Sequence, residues 1–208
     1  MGFYDKYILP SVLNCACGSK PVRYQREKIV PQAEGVVLEI GIGSGLNLPY
    51  YCRDRVTQII GLDPSPELNA MAEKTAAELG LSVEFILASA ESIDLPDDYV
   101  DTVLVTYTLC TIPDAVRAVK EMRRVLQPEG KILFCEHGLA PDESVAKWQD
   151  RIDPLWGRIA GGCHLNRDIP KLIRSAGLSI ETMDEMYLPS TPKFAGYNYW
   201  GSCSKYSL

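Results

Sequence analysis

The chain has 208 residues, 46% of them apolar and 23% charged, with a formal net charge of −6. That length suffices for one large domain with its own core, and the composition is that of a globular rather than a disordered chain. The acidic balance argues against nucleic acid as a partner, and no apolar run reaches the length that spans a bilayer.

The N-terminal stretch "MGFYDKYILPSVLNCACGSK" carries neither a basic leader nor a long apolar centre, so it does not read as a secretory signal. Met1-Gly2 opens like a myristoylation site, but Lys6 stands where Ser or Thr is required. Phe3, Tyr4, Tyr7, Ile8 and Leu9 allow at most peripheral contact with a membrane. There are seven cysteines: Cys15, Cys17, Cys52, Cys110, Cys135, Cys163 and Cys203. Their odd number and the absence of C-x-x-C read as reduced thiols, and hence as a cytoplasmic protein. Cys15-x-Cys17 has no visible third and fourth ligand, so no metal site is expected.

A leading amphipathic helix is expected over about 3–32, broken at Cys17-Gly18-Ser19 and stopped before Pro31. Its aromatic residues, Phe3, Tyr4, Tyr7 and Tyr24, suit a lid over a bound ligand or plain docking on the sheet. "GVVLEI" then reads as a buried strand, followed by a short helix disturbed by Pro49, and "VTQIIGLD" as the next strand. The helix after it has Ser65 as N-cap, Pro66 in its first turn and Gly80 as C-cap. "SVEFILA" and "VDTVLVTY" are a third and a fourth strand. A helix over about 113–126 ends at Pro128-Glu129-Gly130, and "KILFCEH" is the fifth strand.

Strands alternating with helices at this rhythm imply right-handed crossovers and a parallel sheet covered on both faces. Two helices, about 143–160 and 168–176, precede "LSIETMDEMYL" and "FAGYNYWGSCSK". With the Pro189–Pro192 turn between them, these read as an antiparallel hairpin. The expected fold is therefore α/β, Rossmann-like, with a seven-stranded mostly parallel sheet and an antiparallel C-terminal hairpin. One domain covers 1–208: a helical segment at 1–33, a ligand-binding core at 34–139, and acceptor-side helices with the hairpin at 140–208.

The stretch "EIGIGSG", Glu39 to Gly45, carries the strongest signal of chemistry. Ligands of such sheets sit at the carboxyl ends of the strands, near the point where strand order reverses. A pyrophosphate-binding turn would place its third glycine at position 46, which is Leu46; here the glycine is Gly45. A carboxylate at Glu39 would repel a pyrophosphate and suit a ligand bearing an ammonium and a sulfonium. Asp63, ending the second strand, stands where an acidic residue binds ribose hydroxyls. Ser89, Ala90 and Glu91 follow the third strand, where a loop lies over an adenine. Thr106, Tyr107 and Cys110 follow the fourth, at the reacting end.

This combination resembles the class I S-adenosylmethionine-dependent methyltransferases over residues 34 to 139. In that family "EIGIGSG" holds the methionine part of the cofactor, Asp63 the ribose and Ser89-Ala90-Glu91 the adenine, while "LQPEG" forms a turn. An Asp is usual where this chain has Ser89. "VTYTLCTIPD", "FCEHG", the Trp148–Trp156 helix and "GGCHLNRD" look like a narrower group. It holds methyltransferase-like thiol S-methyltransferases and phospholipid or ubiquinone/menaquinone-type methyltransferases.

The resemblance implies cofactor contacts from Glu39, Gly41, Ile42, Gly43, Gly45 and Asn47, then Asp63, Pro64 and Ser65, then Ser89, Ala90, Glu91 and Thr106. It places Tyr107, Cys110, His137, Cys163 and His164 on the substrate side, with His137 as the candidate base. The implied reaction transfers a methyl group from S-adenosylmethionine to a small, partly apolar acceptor (a thiol, a quinol or phenol, or a lipid head group), releasing S-adenosylhomocysteine. A non-catalytic binding or regulatory domain is the alternative. A nicotinamide oxidoreductase is the weaker one, resting on Tyr24-x-x-x-Lys28, which precedes the first strand. Oligomeric state is left open.

Overall fold

A computed structural model describes residues 17–206. Phe3, Tyr4, Tyr7, Ile8, Leu9 and Cys15 lie outside the described residues. Seven strands form one sheet: β1 (Gly35–Ile40), β2 (Val56–Leu62), β3 (Val83–Ile86), β4 (Val100–Thr106), β5 (Leu126–His137), β6 (Ser179–Tyr187) and β7 (Tyr197–Ser204). Their order is β3-β2-β1-β4-β5-β7-β6. The first five run parallel, and β7 lies antiparallel to both β5 and β6. The expected sheet and hairpin are therefore present.

The chain runs outward from β1 to β3 and then crosses back to place β4 on the other side of β1. This reversal opens a crevice beyond the carboxyl ends of β1 and β4.

The central strands are buried on both faces, which is why they read as unbroken apolar runs. Leu38, Ile40, Val103, Val105 and Phe134 pack on one face with Ala118, Val119 and Met122 of α3 (Ala115–Val125) and Ile169 and Ile173 of α5 (Ile169–Ser175). Val37, Leu104 and Leu133 face the other way. They meet Ile29 of α1 (Lys20–Ile29) and Ala72 and Ala76 of α2 (Pro66–Leu79). The alternation along each strand assigns neighbours to opposite layers.

Helix ends follow local chemistry. The Ser65 hydroxyl accepts from Leu68 N–H at 3.2 Å, with Pro66 in the first turn of α2 and Gly80 left-handed at φ +62° beyond its last residue. Asp114 caps α3 by accepting from Arg117 N–H at 3.0 Å.

Two expectations need correction. "LQPEG" is no free turn: Leu126 pairs with Val100, and pairing resumes at Lys131 with Thr102 after a register shift. Pro128 lacks the donor a regular ladder needs, so these turn-like residues sit in an irregular start to β5. The last hairpin strand starts at Tyr197 rather than Phe194, because Lys193–Gly196 forms a helical turn, α6.

α4 (Glu143–Ile159) crosses beyond the carboxyl end of β5, and its buried Gln149 ties three segments together. Gln149 Nε2 donates to the carbonyls of Gly138, Leu165 and Phe194, while its oxygen accepts from Ala140 N–H. Among the described residues, no helix is long and apolar enough to cross a membrane.

Candidate active site

The turn after β1 holds all three glycines of the motif in the left-handed region: Gly41 at φ +66°, Gly43 at +57° and Gly45 at +81°. That conformation costs an ordinary L residue about 1–2 kcal/mol. At Gly41 a Cβ would also stand 2.4 Å from the Thr108 side chain, whereas at Gly43 it would meet nothing closer than 3.8 Å. Gly41 is thus dictated by packing as well as by backbone, and Gly43 by backbone alone. Asp63 braces the turn from β2: one carboxylate oxygen accepts from Gly43 N–H at 3.1 Å and the other from Ser65 N–H at 2.9 Å. Burial raises the Asp63 pKa, with the two amides opposing it. A carboxylate can accept further bonds, so hydroxyls in the cavity still have a partner here.

Behind the turn lies a buried polar network. Glu39, 1% exposed, accepts from Asn47 Nδ2 at 2.9 Å and from the Tyr51 hydroxyl at 2.7 Å. Burial pushes its carboxyl up to about 7, against those two donors and the nearby Arg26. Arg26, from α1, donates through Nη1 to Asn47 Oδ1 and Thr106 Oγ1, both at 2.6 Å. Its guanidinium lies 5.3 Å from the Tyr107 ring centroid, and its buried Nε has no hydrogen-bond partner among the described residues.

In front of this network a solvent-open cavity of about 210 Å³ runs along the sheet edge. Gly41–Ser44, Leu46, Leu68 and Asp63 line one end; Thr106–Thr108, Cys110 and Thr111 line the middle. His137 and Cys163 line the other end, and Cys17 and Arg26 cover the cavity from the leading segment.

The far end is set by Glu136 and the loop after α4. Glu136 Oε1 accepts from the backbone N–H groups of Thr108 (2.8 Å) and Leu109 (3.1 Å), while its buried Oε2 has no partner among the described residues. Burial outweighs those bonds and raises this carboxyl to about 7. Tyr107 takes φ +53°, rare for a non-glycine residue, and its hydroxyl donates to Asn198 Oδ1 at 2.5 Å. His164 N–H donates to the Cys110 carbonyl at 2.9 Å, and Arg167 donates to the carbonyls of Leu109 and Ile112.

These bonds bring Cys163 against His137, with Sγ to Nε2 at 3.3 Å, and the Cys110 sulfur joins them. The three ligand-type atoms all lie within 4.8 Å of one another. The hydrogen bond from Cys110 lowers the Cys163 thiol to about 4, reinforced by His137 and opposed by burial. Burial alone would depress His137, but its contacts with Cys163 and Glu136 raise it overall.

Of the residues singled out in the sequence, Gly41, Ile42, Gly43, Asp63, Thr106, Tyr107, Cys110, His137 and Cys163 line this one cavity. Glu39 and Asn47 stand behind it, and Gly45 borders an adjoining depression. Pro64 and Ser65 are absent from its lining, and Ser65 is spent capping α2.

Ser89 and Glu91 bond to each other, Glu91 also accepts from Asp114 N–H at 2.6 Å, and Ala90 is in the core. None of the three lines the cavity. His164 turns away to Asp153, Nδ1 to Oδ2 at 2.8 Å. Tyr24 is 47% exposed rather than folded over the cavity, and Lys28 sits over the Trp200 ring instead of beside it. Trp148 is 50% exposed.

Arg26 and Cys17 are among the lining residues the sequence reading missed, with Ser44, Leu46, Leu68, Thr108 and Thr111. A signal existed for Arg26: with Gln25 and Ile29 it forms the buried face of α1, and an arginine there needs partners.

The family described as "Methyltransferase domain" matches residues 38–134. Human thiol S-methyltransferase TMT1B is 34% identical over 172 residues, covering 77% of this chain and 68% of that protein. The rat protein of the same name is 35% identical, and the chain spans 61% of its length. Phosphatidylethanolamine N-methyltransferase of Cereibacter sphaeroides is 37% identical over 105 residues, about half of each chain. Among solved structures, a SAM-dependent methyltransferase from Thermotoga maritima superposes with a TM-score of 0.68 at 18% identity, over 98% of both chains.

Proposed function

The chain belongs to the S-adenosylmethionine-dependent methyltransferase family, and we propose that it moves the cofactor's methyl group to a small, partly apolar thiol. The observation that carries this reading is the single cavity joining the left-handed glycine turn and Asp63 to the Cys110, His137 and Cys163 cluster. One end suits a nucleoside with a zwitterionic tail. The other offers polarisable sulfur and imidazole inside an otherwise apolar pocket.

Asp63 accepts from the ribose hydroxyls, and the glycine turn lets the backbone approach the amino-acid tail closely. Arg26 lines the same cavity and offers its positive charge to the tail's carboxylate. Glu39 acts one step back, fixing Asn47 and through it Arg26. The methyl carbon is already activated by positive sulfur, so the protein aligns the nucleophile behind it and excludes water. A thiol near its ordinary pKa of about 8.5 supplies some thiolate unaided, which lowers the demand for a general base. The thiol S-methyltransferase relatives support that acceptor class over a lipid head group, whose relative matches only half of the chain.

Calorimetry with S-adenosylmethionine, S-adenosylhomocysteine and NAD tests the cofactor, with binding expected for the first two alone. Release of S-adenosylhomocysteine over thiols, phenols, quinols and phosphatidylethanolamine tests the acceptor. Turnover is expected with hydrophobic thiols. Binding without turnover on any acceptor overturns catalysis and leaves a regulatory domain.

A further inference from the structure

We infer that Cys110, His137 and Cys163 form a binding site for a soft divalent metal ion, Zn²⁺ before others, with its fourth position open to the cavity. Three segments far apart in the chain converge there: the loop after β4, the last residue of β5, and the loop after α4. Their sulfur and nitrogen atoms lie within 4.8 Å of one another, and the His137 Nε2 to Cys163 Sγ separation is 3.3 Å. Tetrahedral zinc, with bonds of about 2.3 Å to sulfur and 2.0 Å to nitrogen, separates its sulfur and nitrogen ligands by about 3.5 Å.

The donor set selects the ion. Two thiolates and a neutral imidazole suit zinc and copper(I), and exclude magnesium and calcium, which want oxygen. Charge points the same way. Both cysteines lose their protons on ligation, and a divalent cation then makes two thiolates and a neutral imidazole neutral overall. Neighbouring bonds fix the geometry in advance: His164 N–H and Arg167 hold the two loops together, and Glu136 anchors Thr108 and Leu109 ahead of Cys110. Three protein ligands and an open position facing a cavity form the arrangement of a reactive rather than a structural zinc site.

The role of that open position rests on the proposed thiol acceptor. A thiol R–SH binding there gives its proton to water and coordinates as thiolate. A sulfur lone pair then forms the new S–C bond to the cofactor's methyl. The old C–S⁺ bond breaks with its pair retained on the cofactor's sulfur, and the products are S-adenosylhomocysteine and R–S–CH₃. The neutral thioether is a poorer ligand and leaves. No oxidation occurs. This assignment departs from the expectation of no metal, which weighed Cys15-x-Cys17 and the spacing of cysteines and histidines along the chain.

The full-length chain, stripped with chelator under reducing conditions, is titrated with Co²⁺ and then Zn²⁺. One Co²⁺ per chain is expected, with thiolate-to-cobalt charge transfer and four-coordinate ligand-field bands that Zn²⁺ erases. Cys163→Ser and His137→Ala each lower affinity at least about 100-fold, and Cys203→Ser leaves it unchanged. S-adenosylmethionine binding by calorimetry verifies that each variant is folded. Absence of these bands from the wild-type chain, or their persistence in Cys163→Ser, overturns the metal site. A thiol added to the Co²⁺-loaded chain shifts the charge-transfer band, and an unmoved band overturns the acceptor's coordination. Metal binding is read without turnover, so its failure and that of the methyl-transfer reading are distinguishable.

Discussion

At one end of the cavity a five-residue turn, Gly41 to Gly45, presents backbone held by one carboxylate, Asp63. At the other end the reactive groups are side chains, and Cys110 and Cys163 come together from 53 residues apart. The first end depends on dihedral angles that only glycine adopts cheaply. The second depends on loops tied down by Glu136, His164 and Arg167. A backbone site fails when a side chain is added. A side-chain site fails when one is removed.

The contrast predicts asymmetric damage. The largest effect is expected from Gly41→Val, which puts a β-branched residue at φ +66° with its Cβ 2.4 Å from Thr108. S-adenosylmethionine affinity should fall at least about 100-fold by calorimetry, since left-handed strain and overpacking add. Metal binding at the far end should survive, and loss of both together would break the division into two ends.

Glu136→Gln comes next and should act on stability. Its folded carboxyl stands at about 7 against an ordinary 4.5, so the folded chain holds this proton more tightly than the unfolded one. That contribution is full below pH 4.5 and is lost as pH rises through 7, about 3 kcal/mol in all. Denaturant unfolding across that window should show a shallower decline in the variant. Glu39, raised to about 7 by its own burial, and Asp63, raised likewise, contribute to the decline that remains.

Asp63→Ala should weaken cofactor binding by about 1–3 kcal/mol, the cost of unpaired polar groups; unchanged affinity reduces Asp63 to a brace for the turn. Gly43→Ala is the mildest, because its Cβ has room. Strain alone predicts about 1 kcal/mol of lost stability in thermal unfolding, with metal binding intact. A loss of S-adenosylmethionine affinity as large as that of Gly41→Val would mean the turn is held for reasons other than packing.

Much of the fold was legible because its signals are local. Ser65, Pro66 and Gly80 bounded α2 from within their own turns, and the apolar runs of β1 and β4 declared burial on both faces. The adenine side was less legible. Ser89 and Glu91 follow the expected strand, but each spends its side chain on the other or on the cap of α3. Which partner a polar side chain takes depends on what the fold brings within 3 Å, and spacing along the chain carries no record of it. Arg26 was overlooked for a related reason: its partners, Asn47 and Thr106, are 21 and 80 residues away.

What the sequence determined alone is the glycine turn, its acidic neighbours Glu39 and Asp63, and the strand and helix order that puts them at a sheet edge. These rest on backbone conformation and periodicity, which neighbouring residues impose on one another. Only the tertiary structure decided that Glu39 faces Asn47 and Tyr51 rather than the cavity. It also decided that Arg26 bonds Thr106 at the edge of the cavity, and that two cysteines and a histidine share one pocket. The physical reason is range: dihedral preferences act over a few residues, whereas side-chain chemistry acts over a few ångströms, and folding alone converts one distance into the other.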